Sequence, residues 1–131
     1  VKIDHIGIAV KSLEEAKGLY TRVLGLEWEQ DEEVHTEAVR VSFFKTGESH
    51  IELLEALSDD SAIARFIDKK GEGIHHLAFA VDDIGAALEK ARVEGYQLID
   101  ESPRRGAGGK LVAFLHPKST NGVLIELCQK G

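Results

Sequence analysis

A single cysteine in 131 residues rules out an internal disulfide framework and suits a reducing compartment. No apolar run approaches the roughly 18 residues that a membrane-spanning helix requires. The first residues lack the basic start, apolar stretch and small-residue cleavage site of a secretory leader. A cytoplasmic location is therefore expected, with no membrane partner. Positive charge is also scarce: 16 Lys and Arg stand against 23 Asp and Glu, a net charge of −7. A chain of that sign is a poor partner for a nucleic-acid backbone, although a local basic patch can still hold an anionic ligand. What remains is ordinary for a globular protein, with 43% apolar and 30% charged residues. The length suffices for one domain with a real core, or for two small modules that share one.

The most informative feature is a repeat. Ile3-Asp4-His5-Ile6-Gly7-Ile8-Ala9-Val10 returns as Ile74-His75-His76-Leu77-Ala78-Phe79-Ala80-Val81, with His76 lying 71 positions after His5. Ile51-Glu52-Leu53-Leu54 returns as Ile125-Glu126-Leu127-Cys128, at an offset of 74. Each copy therefore carries one His and one Glu in the same slots of apolar strands.

The periodicity predicts the same element order in both halves. In the first, a strand over 2–10 precedes a helix over about 12–24, capped by Ser12 and stopped by Gly25. A polar strand from 27, a strand over 39–44, a turn at 46–49 and a strand over 50–54 follow. In the second, a strand over 74–81 precedes a helix over 84–94 with its cap at Asp82-Asp83, then strands over 96–101, 111–116 and 122–128. Between the halves, 58–73 reads as a linker with a short helix capped by Ser61, ending in a flexible Lys69-Lys70-Gly71-Glu72-Gly73. The fold class expected is α+β: two pseudo-symmetric βαβββ modules, 1–57 and 74–131, forming a curled mixed sheet within one domain. A unit that leaves one sheet face uncovered needs its partner, which is why internal repetition is informative.

Alternation along a strand assigns each candidate to a face. Bulky Ile6, Ile8 and Val10 belong under helices, so His5 shares the other face with Gly7 and Ala9. His76 likewise shares its face with Ala78 and Ala80. Small neighbours leave room for a binding cup. Ile51, Leu53, Ile125 and Leu127 turn to the helices, so Glu52 and Glu126 turn to the cup. Two imidazoles and two carboxylates suit a divalent ion such as Co²⁺, Ni²⁺, Zn²⁺, Mn²⁺ or Fe²⁺. The ordinary alternative for each residue alone is a strand histidine or a surface charge; the matched pair of pairs argues against it. His50 competes with Glu52 for the fourth ligand position, but the repeat mates Glu52 with Glu126 and His50 with Leu124. His75 points to the other face, His35 lies in a loop, and His116 anchors a turn. Arg40 is expected in the cup with Ser42 and Phe44, positioned for an anionic group, and Glu37 is expected to reach in from the strand end. Arg104, Arg105, Lys110 and Lys118 form the densest positive charge, around a glycine-rich loop suited to phosphates.

These residues resemble the vicinal oxygen chelate superfamily, built from paired βαβββ modules, and within it the methylmalonyl-CoA epimerase family. The stretches that carry the resemblance are Asp4–Val10, Glu52-Leu53-Leu54, Gly73–Phe79, Gly106-Ala107-Gly108-Gly109, and Phe114-Leu115-His116-Pro117-Lys118 running into Gly122-Val123-Leu124-Ile125-Glu126-Leu127. The resemblance covers essentially the whole chain. It implies an isomerase that interconverts the two configurations at C2 of an acyl-CoA substrate through a metal-stabilised enediolate. It implies metal ligation by His5, His76 and Glu126 with Glu52 as the fourth ligand, cobalt or another divalent ion, and a homodimer. Some relatives carry an acidic base on the second strand of the first module. This chain reads Glu37-Ala38-Val39-Arg40-Val41-Ser42 there, so the base is sought at Glu126 first and Glu37 second. Two other readings are a lactoylglutathione lyase of the same metal logic and a metal-free binding module of the same fold.

Overall fold

A computed structural model describes all residues, Val1–Gly131. The elements are β1 (Lys2–Ala9), α1 (Leu13–Gly18), β2 (Glu27–Val34), β3 (Val39–Thr46), β4 (Ser49–Ala56), α2 (Ala62–Lys70), β5 (Gly73–Ala80), α3 (Ile84–Val93), β6 (Arg104–Arg105), β7 (Leu111–Leu115) and β8 (Ile125–Gln129). The class is α+β, with a βαβββ order in each half. Two compact units result: His5–His75, and Val1–Asp4 together with His76–Gly131. No helix is long and apolar enough to cross a membrane.

In the His5–His75 unit the strand order is β2-β3-β4-β1. β2, β3 and β4 run antiparallel, while β4 and β1 pair in parallel. Parallel pairing needs a crossover, and α1 supplies it. Ser12 caps that helix as its sequence position predicts, accepting from the Glu15 N–H. Apolar spacing then buries Leu13 against Val10, Phe44 and Leu53, with Ile8, Ala16, Tyr20 and Ile51 around them. The helix is shorter than its apolar stripe. It widens into a π-turn over Leu19–Val23, and the Leu24 N–H donates to the Leu19 carbonyl, before Gly25 turns the chain at φ 72°.

The other unit repeats the pattern in the order β5-β8-β7-β6. β5 and β8 are parallel; β8, β7 and β6 are antiparallel. Asp83 caps α3 by accepting from the Ala86 N–H. Ile84 and Leu88 bury against Ala113 and Leu127.

Two expectations need correction. The helix expected within 58–73 forms as α2, capped by Ser61 and burying Ile63, but 69–73 is not a flexible link. Lys69 and Lys70 form the last turn of α2, Gly71 closes it with an N–H bond to the Ile67 carbonyl, and Glu72 accepts from the Lys11 N–H at 2.7 Å. The strand predicted over 96–101 is absent except for a single Leu98–Leu115 bridge. There the edge of β7 is served irregularly. His116 N–H reaches the Gln97 carbonyl, Ile99 N–H reaches the Phe114 carbonyl, and the Asp100 carboxylate takes the Phe114 N–H at 2.8 Å. A side chain thus does what a strand backbone would have done, and the ladder resumes only at Arg104↔Val112.

Candidate active site

In the first unit β1 and β4 align Gly7 with Glu52. The large neighbours Ile8, Val10, Ile51 and Leu53 pack toward α1, which turns His5 and Glu52 to the opposite face. There His5 Nδ1 lies 3.2 Å from Glu52 Oε2, and both side chains are about 4% exposed. In the second unit Ala78 aligns with Glu126, and His76 Nε2 lies 3.2 Å from Glu126 Oε1, both about 6% exposed. Leu127 and Ile125 pack toward α3 in the same way. Each unit therefore presents one buried imidazole–carboxylate couple beside small residues: Gly7 and Ala9 in one, Ala78 and Ala80 in the other. Buried carboxylates are costly unless a cation or hydrogen bonds compensate them. Imidazole nitrogen beside carboxylate oxygen is a donor set that fits a divalent transition metal. Glu52, rather than His50, is the group at 3.2 Å from His5; His50 Nε2 instead contacts Glu29 Oε1 at 2.8 Å. The β2 bulge at Trp28–Gln30 brings Glu29 there.

A phenylalanine stands opposite each glutamate. Phe43 pairs with Glu52, and Phe114 with Glu126. They are related by the 71-residue repeat, which is the signal for them in the sequence. The Phe114 ring meets the His76 ring edge-on at 5.6 Å. The Arg104 guanidinium also lies 5.6 Å from the same ring. Arg104 pairs with Val112, which pairs with Cys128, and so shares the face that carries Glu126.

Arg40 is corrected. The residues of β3 that share the Glu52 face are Val39, Val41 and Phe43; Arg40, Ser42 and Phe44 take the other. Phe44 is fully buried against Leu13 and Leu53, and its ring lies 5.7 Å from that of Tyr20. Arg40 Nη2 lies 3.8 Å from Asp31, so its charge is directed away from the proposed cup. Asp31 organises that side. It accepts from Lys17 Nζ at 2.8 Å, from Trp28 Nε1 at 2.9 Å and from the buried Ser42 hydroxyl. Burial alone would raise the Asp31 carboxyl, but these hydrogen bonds and the Lys17 charge outweigh it and hold the group below the usual carboxylate range.

Glu37 lies in the 3-10 turn His35–Glu37, just beyond the Val39↔Ala56 pair that ends the β3–β4 ladder. The basic residues do not form one patch. Lys110 Nζ binds the Asp4 carboxylate at 2.6 Å. Arg105 is exposed and donates to the Gly109 carbonyl at 2.9 Å. Lys118 follows the opposite end of β7, where His116 Nδ1 accepts its N–H. His116 thus anchors a turn, and His75 packs its ring at 5.0 Å from Phe66, both structural roles. The one thiol, Cys128, is buried on the Glu126 face. Burial raises its pKa first; the negative charges of Asp4 and Glu126 add to the rise, and Lys110 opposes it.

Residues 4–114 match the family model described as the Glyoxalase/Bleomycin resistance protein/Dioxygenase superfamily. The chain is 40% identical to the mitochondrial methylmalonyl-CoA epimerase of Dictyostelium discoideum, over 98% of this chain and 78% of that one. It is 39% identical to the ethylmalonyl-CoA/methylmalonyl-CoA epimerase of Cereibacter sphaeroides, over 98% and 97%. Among solved structures, a variant of the Streptomyces coelicolor methylmalonyl-CoA epimerase in complex with 2-nitronate-propionyl-CoA superposes with a TM-score of 0.94 at 36% identity, covering 100% of this chain and 95% of that one.

Proposed function

The chain belongs to the glyoxalase/bleomycin resistance protein/dioxygenase superfamily, and from that premise we propose that it is a metal-dependent enzyme that epimerises methylmalonyl-CoA at C2. The observation that carries the reading is the pair of buried His–Glu couples, one in each unit, at equal separations of 3.2 Å. The epimerase relatives, which align over nearly the whole chain, support the substrate class. In this reading His5, Glu52, His76 and Glu126 jointly hold one divalent ion, with cobalt as the first candidate and nickel, manganese or zinc as alternatives. When bound, the ion supplies positive charge to the substrate oxygens on which negative charge develops.

The chain's own groups do the rest. The C2 proton lies between a thioester and a carboxylate, so the electron pair left behind spreads onto oxygen. Glu126 takes that proton as base. Return of a proton to the opposite face of C2 inverts the centre, and Glu37, in the turn before β3, is the candidate for that second acid–base role. With Val41 and Phe43 on the Glu52 face of β3, no carboxylate of that strand takes part. Arg105, exposed beside the glycine-rich turn, is the candidate for a CoA phosphate. A homodimer, implied by the resemblance, and a cytoplasmic setting, expected from the sequence, belong to the same proposal.

Deuterium wash-in at C2 tests it. The metal-loaded protein should exchange the C2 proton of methylmalonyl-CoA, and a chelator should stop the exchange. No exchange, combined with turnover of the methylglyoxal–glutathione adduct, would replace the epimerase with a lyase.

A further inference from the structure

Which group recognises the free carboxylate of the acyl unit is open once Arg40 is turned away. We propose that Arg104 takes that carboxylate, with Asp100 as its positioning residue, so that this pair makes the site selective for 2-carboxyacyl thioesters over plain acyl thioesters. The inference rests on the epimerase reading and goes beyond it.

Three observations support the assignment. Arg104 lies on the sheet face of Glu126, two strands away from it, through the pairs Arg104↔Val112↔Cys128. The Phe114 ring contacts both the His76 imidazole and the Arg104 guanidinium, each at 5.6 Å. The guanidinium thus sits two ring contacts from a proposed ligand. The diphosphate of a CoA thioester is separated from the acyl carbonyl by the whole pantetheine arm, whereas the acyl carboxylate is two bonds from it. An arginine this near His76 fits the carboxylate better than the diphosphate.

The third observation is how the guanidinium is held. One Asp100 oxygen contacts Arg104 Nε at 3.2 Å, and the other accepts the Phe114 backbone N–H at 2.8 Å. A single carboxylate therefore ties the guanidinium to the strand whose ring it stacks on. Engagement at Nε fixes the plane of the fork, and a fixed planar fork is what recognises a carboxylate in two-point fashion. The irregular backbone at Asp100, where a strand is expected from sequence, is what makes this tether available.

The test compares calorimetric affinities of the Co²⁺-loaded protein for methylmalonyl-CoA and propionyl-CoA. The wild type should prefer methylmalonyl-CoA. Arg104→Gln should lower the affinity for methylmalonyl-CoA by about 10- to 100-fold, as loss of a charged hydrogen bond does, while leaving propionyl-CoA within about twofold. Arg104→Lys should recover part of the preference. Asp100→Asn keeps an acceptor for the Phe114 N–H and should lose about 3- to 10-fold for methylmalonyl-CoA alone. An equal loss for both thioesters in Arg104→Gln would assign the residue to the CoA moiety and overturn the proposal, as would an unchanged preference. Wild-type protein that fails to exchange the C2 proton would instead sink the epimerase reading itself.

Discussion

Asp31 shows how far one residue can organise a surface without belonging to the site. Three donors converge on it, so Asp31→Asn should cost about 1–3 kcal/mol at neutral pH, read as a lower urea midpoint. Its carboxyl is depressed in the folded state. That contribution is therefore fully present above the unfolded value near pH 4 and is lost as pH falls through the folded one. The stability gap between wild type and Asp31→Asn should narrow below pH 4; a gap that widens there would contradict the assignment. The same residue explains a misreading. In Val39-Arg40-Val41-Ser42-Phe43-Phe44 both parities carry aromatic residues, so alternation alone does not say which set faces Glu52. The register Phe43↔Glu52 decides it, and Asp31, on the neighbouring strand, receives Ser42 and lies near Arg40. His5 and His76 escaped this ambiguity because small residues (Gly7 and Ala9, or Ala78 and Ala80) share their face while bulky ones fill the other, and Glu52 and Glu126 followed from the apolar pairs on either side of each. Glu126→Gln should abolish C2 exchange; near-normal exchange would refute its proposed role. Cys128, with its thiol pKa raised by burial and two neighbouring carboxylates, should resist iodoacetamide until the protein is unfolded.

Elements with strong local signals were legible. The caps Ser12, Ser61 and Asp83 all accept from the N–H three residues on. Ser61→Ala should destabilise by about 1 kcal/mol, against about 2–5 kcal/mol for Leu13→Ala or Leu88→Ala, where a cavity opens in a core. Equal thermal shifts for cap and core variants would contradict this ranking. The π-turn after α1 and the unformed strand at 96–101 were not legible. Tyr96, Leu98 and Ile99 have strand-like character, yet Tyr96 and Ile99 are about half exposed and the Asp100 side chain replaces a backbone acceptor. Such side-chain capture of an edge depends on a tertiary partner, Phe114, that the local sequence does not announce.

For the whole molecule, duplication is the organising fact. The 71- and 74-residue offsets became equivalent ladders, Gly7↔Glu52 with Phe43 opposite and Ala78↔Glu126 with Phe114 opposite. The three extra residues fall in the connection between β7 and β8, where Pro117–Ser119 forms a 3-10 turn. The halves are not copies in every respect, since His50 and Glu29 form a further couple in one half, where the mate of His50 is Leu124. The central proposal is that both buried couples serve one ion. Titration of Co²⁺ into the metal-free protein, followed by calorimetry, tests it most directly. One ion per chain is predicted, with binding abolished in both His5→Ala and His76→Ala. Two ions per chain, or a site that survives the loss of one histidine, would show that the couples act separately and would contradict the account.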